Sequence, residues 1–125
     1  MNVVELKTSL QSLLATELGT YTGNIPSIWV YGSAQAPPST STGLECLIRQ
    51  LSLQPAQGSS AGYKYKPQQW EVILTNFKQD SKLIKAIDKI ESRFKVIQYT
   101  HQPFTNTEYE RARLLIFDPI FVPNI

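Results

Sequence analysis

A chain of 125 residues, 42% hydrophobic and 18% charged, has the make-up of one globular domain and not of a disordered segment. A net charge of +2 gives no strong field toward nucleic acid or an anionic bilayer. One cysteine, Cys46, excludes an intramolecular disulfide, and one histidine, His101, excludes two-histidine metal sites.

The chain opens on NVVELKTSLQSLLATELG, where Leu6, Leu10, Leu13, Leu14 and Leu18 recur at helical spacing. Asn2 suits the N-cap, Glu5 completes a capping box, and Gly19 suits the helix end. This amphipathic start is not a basic segment followed by an apolar core, so no secretory signal is expected. No apolar run nears the roughly 20 residues of a membrane helix. The expectation is a soluble, cytoplasmic protein.

IPSIWVYGS, rich in β-branched and aromatic residues, predicts a strand. A Pro- and Ser/Thr-rich loop follows, and GLECLIRQLSL predicts a second strand. PAQGSSAGYKYKP predicts a Gly/Ser-rich loop, QWEVILTNF a third strand and DSKLIKAIDKIESRF a second helix capped by Asp80. Its apolar stripe is Leu83, Ile84, Ile87, Ile90 and Phe94. KVIQYTH and ARLLIFD predict the last two strands, joined by the loop QPFTNTEYE. The tail PIFVPNI holds Phe121 and Val122 between Pro119 and Pro123, which predicts an extended arm over 119–125 beyond a single domain over 1–118.

The order α-β-β-β-α-β-β predicts an α+β fold. Its sheet is mostly antiparallel and five-stranded, with both amphipathic helices packed on one face. The strands are apolar on both faces: Trp29 and Tyr31 oppose Ile28 and Val30, Ile73 opposes Val72 and Leu74, and Leu115 opposes Leu114 and Ile116. A sheet with one solvated face would alternate apolar and polar. Two explanations stand: the sheet curls over itself, or another subunit covers the second face.

No catalytic pattern emerges. Cys46 is flanked by apolar strand residues and reads as a buried small hydrophobe. GYKYKP has neither phosphate-loop nor dinucleotide spacing. Its alternating lysines and tyrosines, with Arg111 and Arg113 on one side of a strand, suit a nucleic-acid platform. A solvated loop and a strand face with paired charges account for them better, given the near-neutral balance.

The stretch IPSIWVYGSAQAPPSTSTGLECLIRQ, a strand, a Pro-rich loop and a strand opening on GLE, resembles the tail terminator family of phages. The element order is similar over nearly the whole chain. The resemblance implies a structural protein with no catalytic residue, cofactor or metal. It implies a homo-hexameric ring that caps the tail tube and joins it to the neck. The partners would be further copies of itself, the tail tube protein and neck or connector proteins. It implies no membrane, and at most weak contact with DNA passing through the lumen. The protein would be assembled in the host cytoplasm and reside in the virion. A head-closure or connector protein of the neck is the alternative, and a cellular binding module the third reading.

On that resemblance the subunit or ring interface comprises Trp29, Tyr31, Ser33, Gln35, Pro37, Pro38, Thr40, Lys64, Lys66, Phe121 and Val122. The loop over 33–43 would contact a neighbour and contribute little to folding. Pro37 and Pro38 would lower the entropy lost on docking, and Ser39, Thr40, Ser41 and Thr42 would offer hydrogen bonds. A long hairpin connection without a partner is the other reading of the same loop.

Overall fold

The computed structural model describes residues 2–32, 35–51 and 63–123, with side chains described over 69–116 of the last stretch. Helix α1 spans Val3–Leu13, and the Asn2 side chain accepts from Glu5 N at its start, as the capping pattern predicts. The helix stops before the predicted end. Thr16 Oγ1 donates to Glu17 Oε2, Lys89 donates to both, and residues 14–17 turn instead of winding on. Leu18 then lies beside Leu44 in a parallel bridge.

Strands β1 (Thr20–Tyr21) and β2 (Ile25–Pro26) form a small antiparallel ribbon. Its turn uses Gly23 and Asn24, both at positive φ, where these residue types are tolerated best. The main sheet contains β3 (Ile28–Val30), β4 (Leu44–Gln50), β5 (Tyr63–Asn76), β6 (Val96–Gln102) and β7 (Glu110–Pro123), in the order β3-β4-β5-β7-β6. Helix α2 (Lys82–Arg93) separates β5 from β6. Asp80 sits one position before its N-cap, Ser81, and its carboxylate accepts from Lys82 N.

The α+β class, the two helices and the five-stranded sheet agree with the expectation. The single strand expected over 25–33 is split into β2 and β3, with β2 in the separate ribbon, and three further features differ. The sheet is mixed, because β3 runs parallel to β4 while the other three neighbouring pairs are antiparallel. A parallel pair cannot be joined by a tight hairpin, so the chain must return along the sheet before β4 begins. The Pro- and Ser/Thr-rich segment is that return. Second, residues 63–67 belong to β5 instead of a loop. Third, no break separates 119–123 from β7; the register pairs Pro119 with Pro67 and Pro123 with Tyr63. Proline is tolerated there because the pairing of β6 with β7 begins at Ile116, so among the described residues no neighbour on that side demands a donor from Pro119 or Pro123.

Both helices pack on one face. Leu6 and Leu10 of α1 and Leu83, Ala86, Ile87 and Ile90 of α2 form one buried cluster with Cys46, Ile48, Trp70, Val72, Leu74, Leu114 and Ile116 of the sheet. Ile84, placed in the stripe by spacing, is instead 45% exposed, and the small Ala86 takes the inward position.

Glu17 ties the two helices together. Lys89 Nζ lies 2.7 Å from its Oε1, and the carboxylate is nearly buried. Burial alone would raise its pKa, but the Lys89 and Thr16 hydrogen bonds outweigh this and hold it below the ordinary value of 4.5. A carboxylate depressed by folding stabilises above its unfolded pKa, and that stability is lost as pH falls through the folded value. The wild type should therefore lose this contribution as pH falls through and below the ordinary carboxylate range. Glu17→Gln should be less stable at neutral pH and show a flatter acid limb in thermal melts against pH.

Candidate interaction surface

The sheet's second face is built in rows set by register. One row carries Arg49, Glu71, Leu115 and Gln98; the next carries Leu47, Ile73, Arg113 and Thr100. Leu47, Ile73 and Leu115 are only partly buried. Glu71, 7% exposed, sits among them and is held from two sides, by Arg49 Nη2 at 3.1 Å and Arg113 Nε at 3.5 Å. Arg111 Nε reaches Thr75 Oγ1 at 3.4 Å. The paired-charge reading thus has its geometry for Arg113, whereas Arg111 meets a hydroxyl, and the face is mixed instead of apolar throughout.

Among the described residues the sheet stays open, with β3 and β6 as its edges and no pairing that closes it into a barrel. Toward β3 the chain covers part of the second face with its own crossover. Trp29 Nε1 donates to Gln35 O at 2.9 Å. Tyr21 packs edge-on against the Trp29 ring and donates its phenol O–H to Glu45 at 2.8 Å. Burial and that acceptor push the Tyr21 pKa upward, so it remains a donor. Lys7 Nζ sits 5.8 Å from the Trp29 ring centre, in cation–π range.

Four of the predicted interface residues, Trp29, Tyr31, Gln35 and Pro37, line one cleft of about 310 Å³ whose floor includes Leu47 and Glu45. Tyr31 is 57% exposed at its rim. Pro38 and Thr40 lie exposed further along the crossover. Ser33 lies outside the described residues. Lys64, Lys66, Phe121 and Val122 fall in the paired ends of β5 and β7, and their side chains lie outside the described ones.

The expectation that 33–43 contributes little to folding fails for its second half. Ser39 Oγ accepts from Thr22 N, and Thr42 exchanges hydrogen bonds with Thr20. Ser41, 5% exposed, shares a 2.6 Å hydrogen bond with Ser27. Parallel pairing forces this outcome, because the returning chain must lie against β1 and carry its own partners for buried backbone groups. Three of the four hydroxyls assigned to a neighbour serve the chain itself.

Sequence reasoning missed an aromatic cluster at the loop end of the sheet. Tyr109 packs 4.8 Å from Phe77 and 6.2 Å from Phe104, and Tyr109 is half-exposed. Phe104 and Tyr109 share the β6–β7 loop but Phe77 follows β5, so no local spacing marks the three together. His101 Nε2 meets Glu110 Oε2 at 2.8 Å nearby. Cys46 is fully buried, and burial first, then Glu45, pushes its thiol up to about 12, which leaves it unreactive at neutral pH. Among the described residues, no group of three or more His, Cys, Asp or Glu could hold a metal ion. No described helix is long and apolar enough to cross a membrane. No protein-family model matches the chain, and no curated protein does.

Proposed function

We propose that the protein is a structural subunit of a phage tail, a tail terminator that closes into a ring, caps the tail tube and presents a new surface to the neck. The observation that carries this reading is a sheet built to be covered from outside. Leu47, Ile73 and Leu115 are left partly exposed on a face that no helix covers among the described residues. Among the described residues the same sheet extends as a ribbon of two strands, 63–68 against 118–123, past the paired ends of β4 and β6. Partly exposed aliphatics beside paired arginines suit protein contact, where apolar area supplies the driving force and Arg is enriched.

The two ends of the molecule differ, as a terminator requires. One end carries the aromatic loop cluster and the other the ribbon. A ring with unlike faces accepts the tube on one side and refuses another tube subunit on the other, which stops an interface that would otherwise extend indefinitely. The chemistry is geometric, and no bond is made or broken. A phage lacking the gene should accumulate filled heads without joined tails, together with tails of abnormal length. Tails of normal length beside intact heads would favour a neck adaptor, and normal infectious particles would overturn both virion roles.

A further inference from the structure

We propose that two free copies of this chain pair through the outer edge of β6, antiparallel about a two-fold axis at Thr100, so that their sheets run on into one. The contact belongs to the free chain and does not rest on the ring reading.

β6 (VIQYTHQ) is an edge strand with no Lys, Arg, Asp, Glu or Pro. Those are the residues that normally keep a sheet edge from pairing with another chain. Its one irregularity falls between Val96 and Gln98, and 98–102 pair regularly with β7. Residues 97–101 are all exposed, Tyr99 by 53%. The opposite edge, β3, has only three residues and cannot supply an equivalent ladder.

Chain length keeps this edge clear of the segment that joins β4 to β5. Leu51 N bonds Gln69 O, and Tyr63 pairs with Pro123, so both ends of that segment are fixed on the far side of β7 from the edge. By strand spacing and rise, a path from Leu51 to the outside of Thr100 and back to Tyr63 runs roughly 60 Å. The eleven residues over 52–62 reach about 40 Å fully extended.

The strand complements itself. With the axis at Thr100, Gln98 of one copy faces Gln102 of the other, Tyr99 faces His101, and Thr100 faces Thr100. Register places Thr100 beside Arg113 on the open sheet face, and Tyr99 and His101 beside Leu114 and Ala112 on the helix face. Each pair therefore meets on one face, amide with amide, ring with ring and hydroxyl with hydroxyl, and no like charges oppose each other. The flanking charges fix the direction. Arg93 and Lys95 precede β6, while Glu108 and Glu110 stand at its other end, bonding Gln102 and His101. Antiparallel pairing sets the basic start of each copy beside the acidic end of the other, whereas parallel pairing would set like beside like. Backbone groups of the two edges supply the ladder, and a contact of one surface with itself closes at two copies.

Sedimentation velocity on the full chain, from about 10 μM to about 1 mM, should show a monomer–dimer equilibrium. Amides over 98–102 should exchange about tenfold more slowly at the upper end. Thr100→Cys should oxidise to a cross-linked dimer about tenfold faster than Lys82→Cys at the exposed start of α2, because the axis holds its two thiols opposite each other. Thr100→Lys sets like charges on the axis and should stay monomeric at the Tm of dilute wild type; the cysteine variants decide the matter if it does not fold. A wild type monomeric throughout, association that leaves 98–102 unprotected, equal cross-linking at the two positions, or a folded Thr100→Lys that dimerises like wild type would overturn the proposal. Protection of 98–102 in assemblies larger than a dimer, without cross-linking at position 100, would overturn it in favour of a head-to-tail contact.

Discussion

Gly19→Ala should destabilise the protein by on the order of 3 kcal/mol, a large share of a small domain's stability. A Cβ at Gly19 would stand 2.5 Å from Gly43 N and 2.8 Å from Ser41 Oγ. Backbone cannot yield at that distance, so the return of the crossover must move. Movement there threatens the Gly19 N to Leu44 O and Ser27 N to Gly19 O hydrogen bonds, and with them the start of β4. Gly43→Ala is the control. Its Cβ would meet Gly19 Cα at 3.4 Å, an ordinary contact, and should cost less than about 1 kcal/mol. Denaturant midpoints at constant slope measure both. Equal stability of the two variants would show that the segments do not approach as described.

Truncation after Asp118 should leave a folded chain and abolish assembly into tails. The cut removes the partners of 63–67 but keeps 110–118, which pair with 68–76 across the packed part of the sheet. Ala112, Leu114 and Ile116, the described members of the buried cluster on β7, lie in the part of the strand that is kept. The Tm should therefore fall by only a few degrees, about what a 1 kcal/mol loss produces. Incorporation into tails should disappear. A truncated chain that no longer folds would show that the ribbon belongs to the monomer's own core.

The helices were legible because their signals are local. Asn2 with Glu5 and the recurrence of Leu6 and Leu10 need no tertiary information, and the cap and burial follow. The strands β4, β6 and the packed part of β5 were legible for the same reason. The parallel pairing of β3 with β4 was not. Strand direction leaves no mark on the residues of either strand, and the loop between them looks alike in a hairpin or a crossover. That one unknown misplaced Ser39, Ser41 and Thr42, which serve the chain's own fold. Pro119 and Pro123 argued against strand because proline starves a ladder of donors, yet both sit in the β5–β7 register, Pro119 opposite Pro67 and Pro123 opposite Tyr63. On the candidate surface, Trp29, Tyr31, Gln35 and Pro37 do converge on one cleft. Glu71 went unnoticed because its two arginines come from different strands, joined by register alone.

A reconstruction of tails carrying this chain tests the central claim most directly. The expected result is a closed ring of copies at the head-proximal end of the tail tube, the open sheet face covered by neighbours and the ribbon of each copy in contact with the next. A chain found as a lone copy, outside any ring, or with Leu47, Ile73 and Leu115 facing solvent would contradict it.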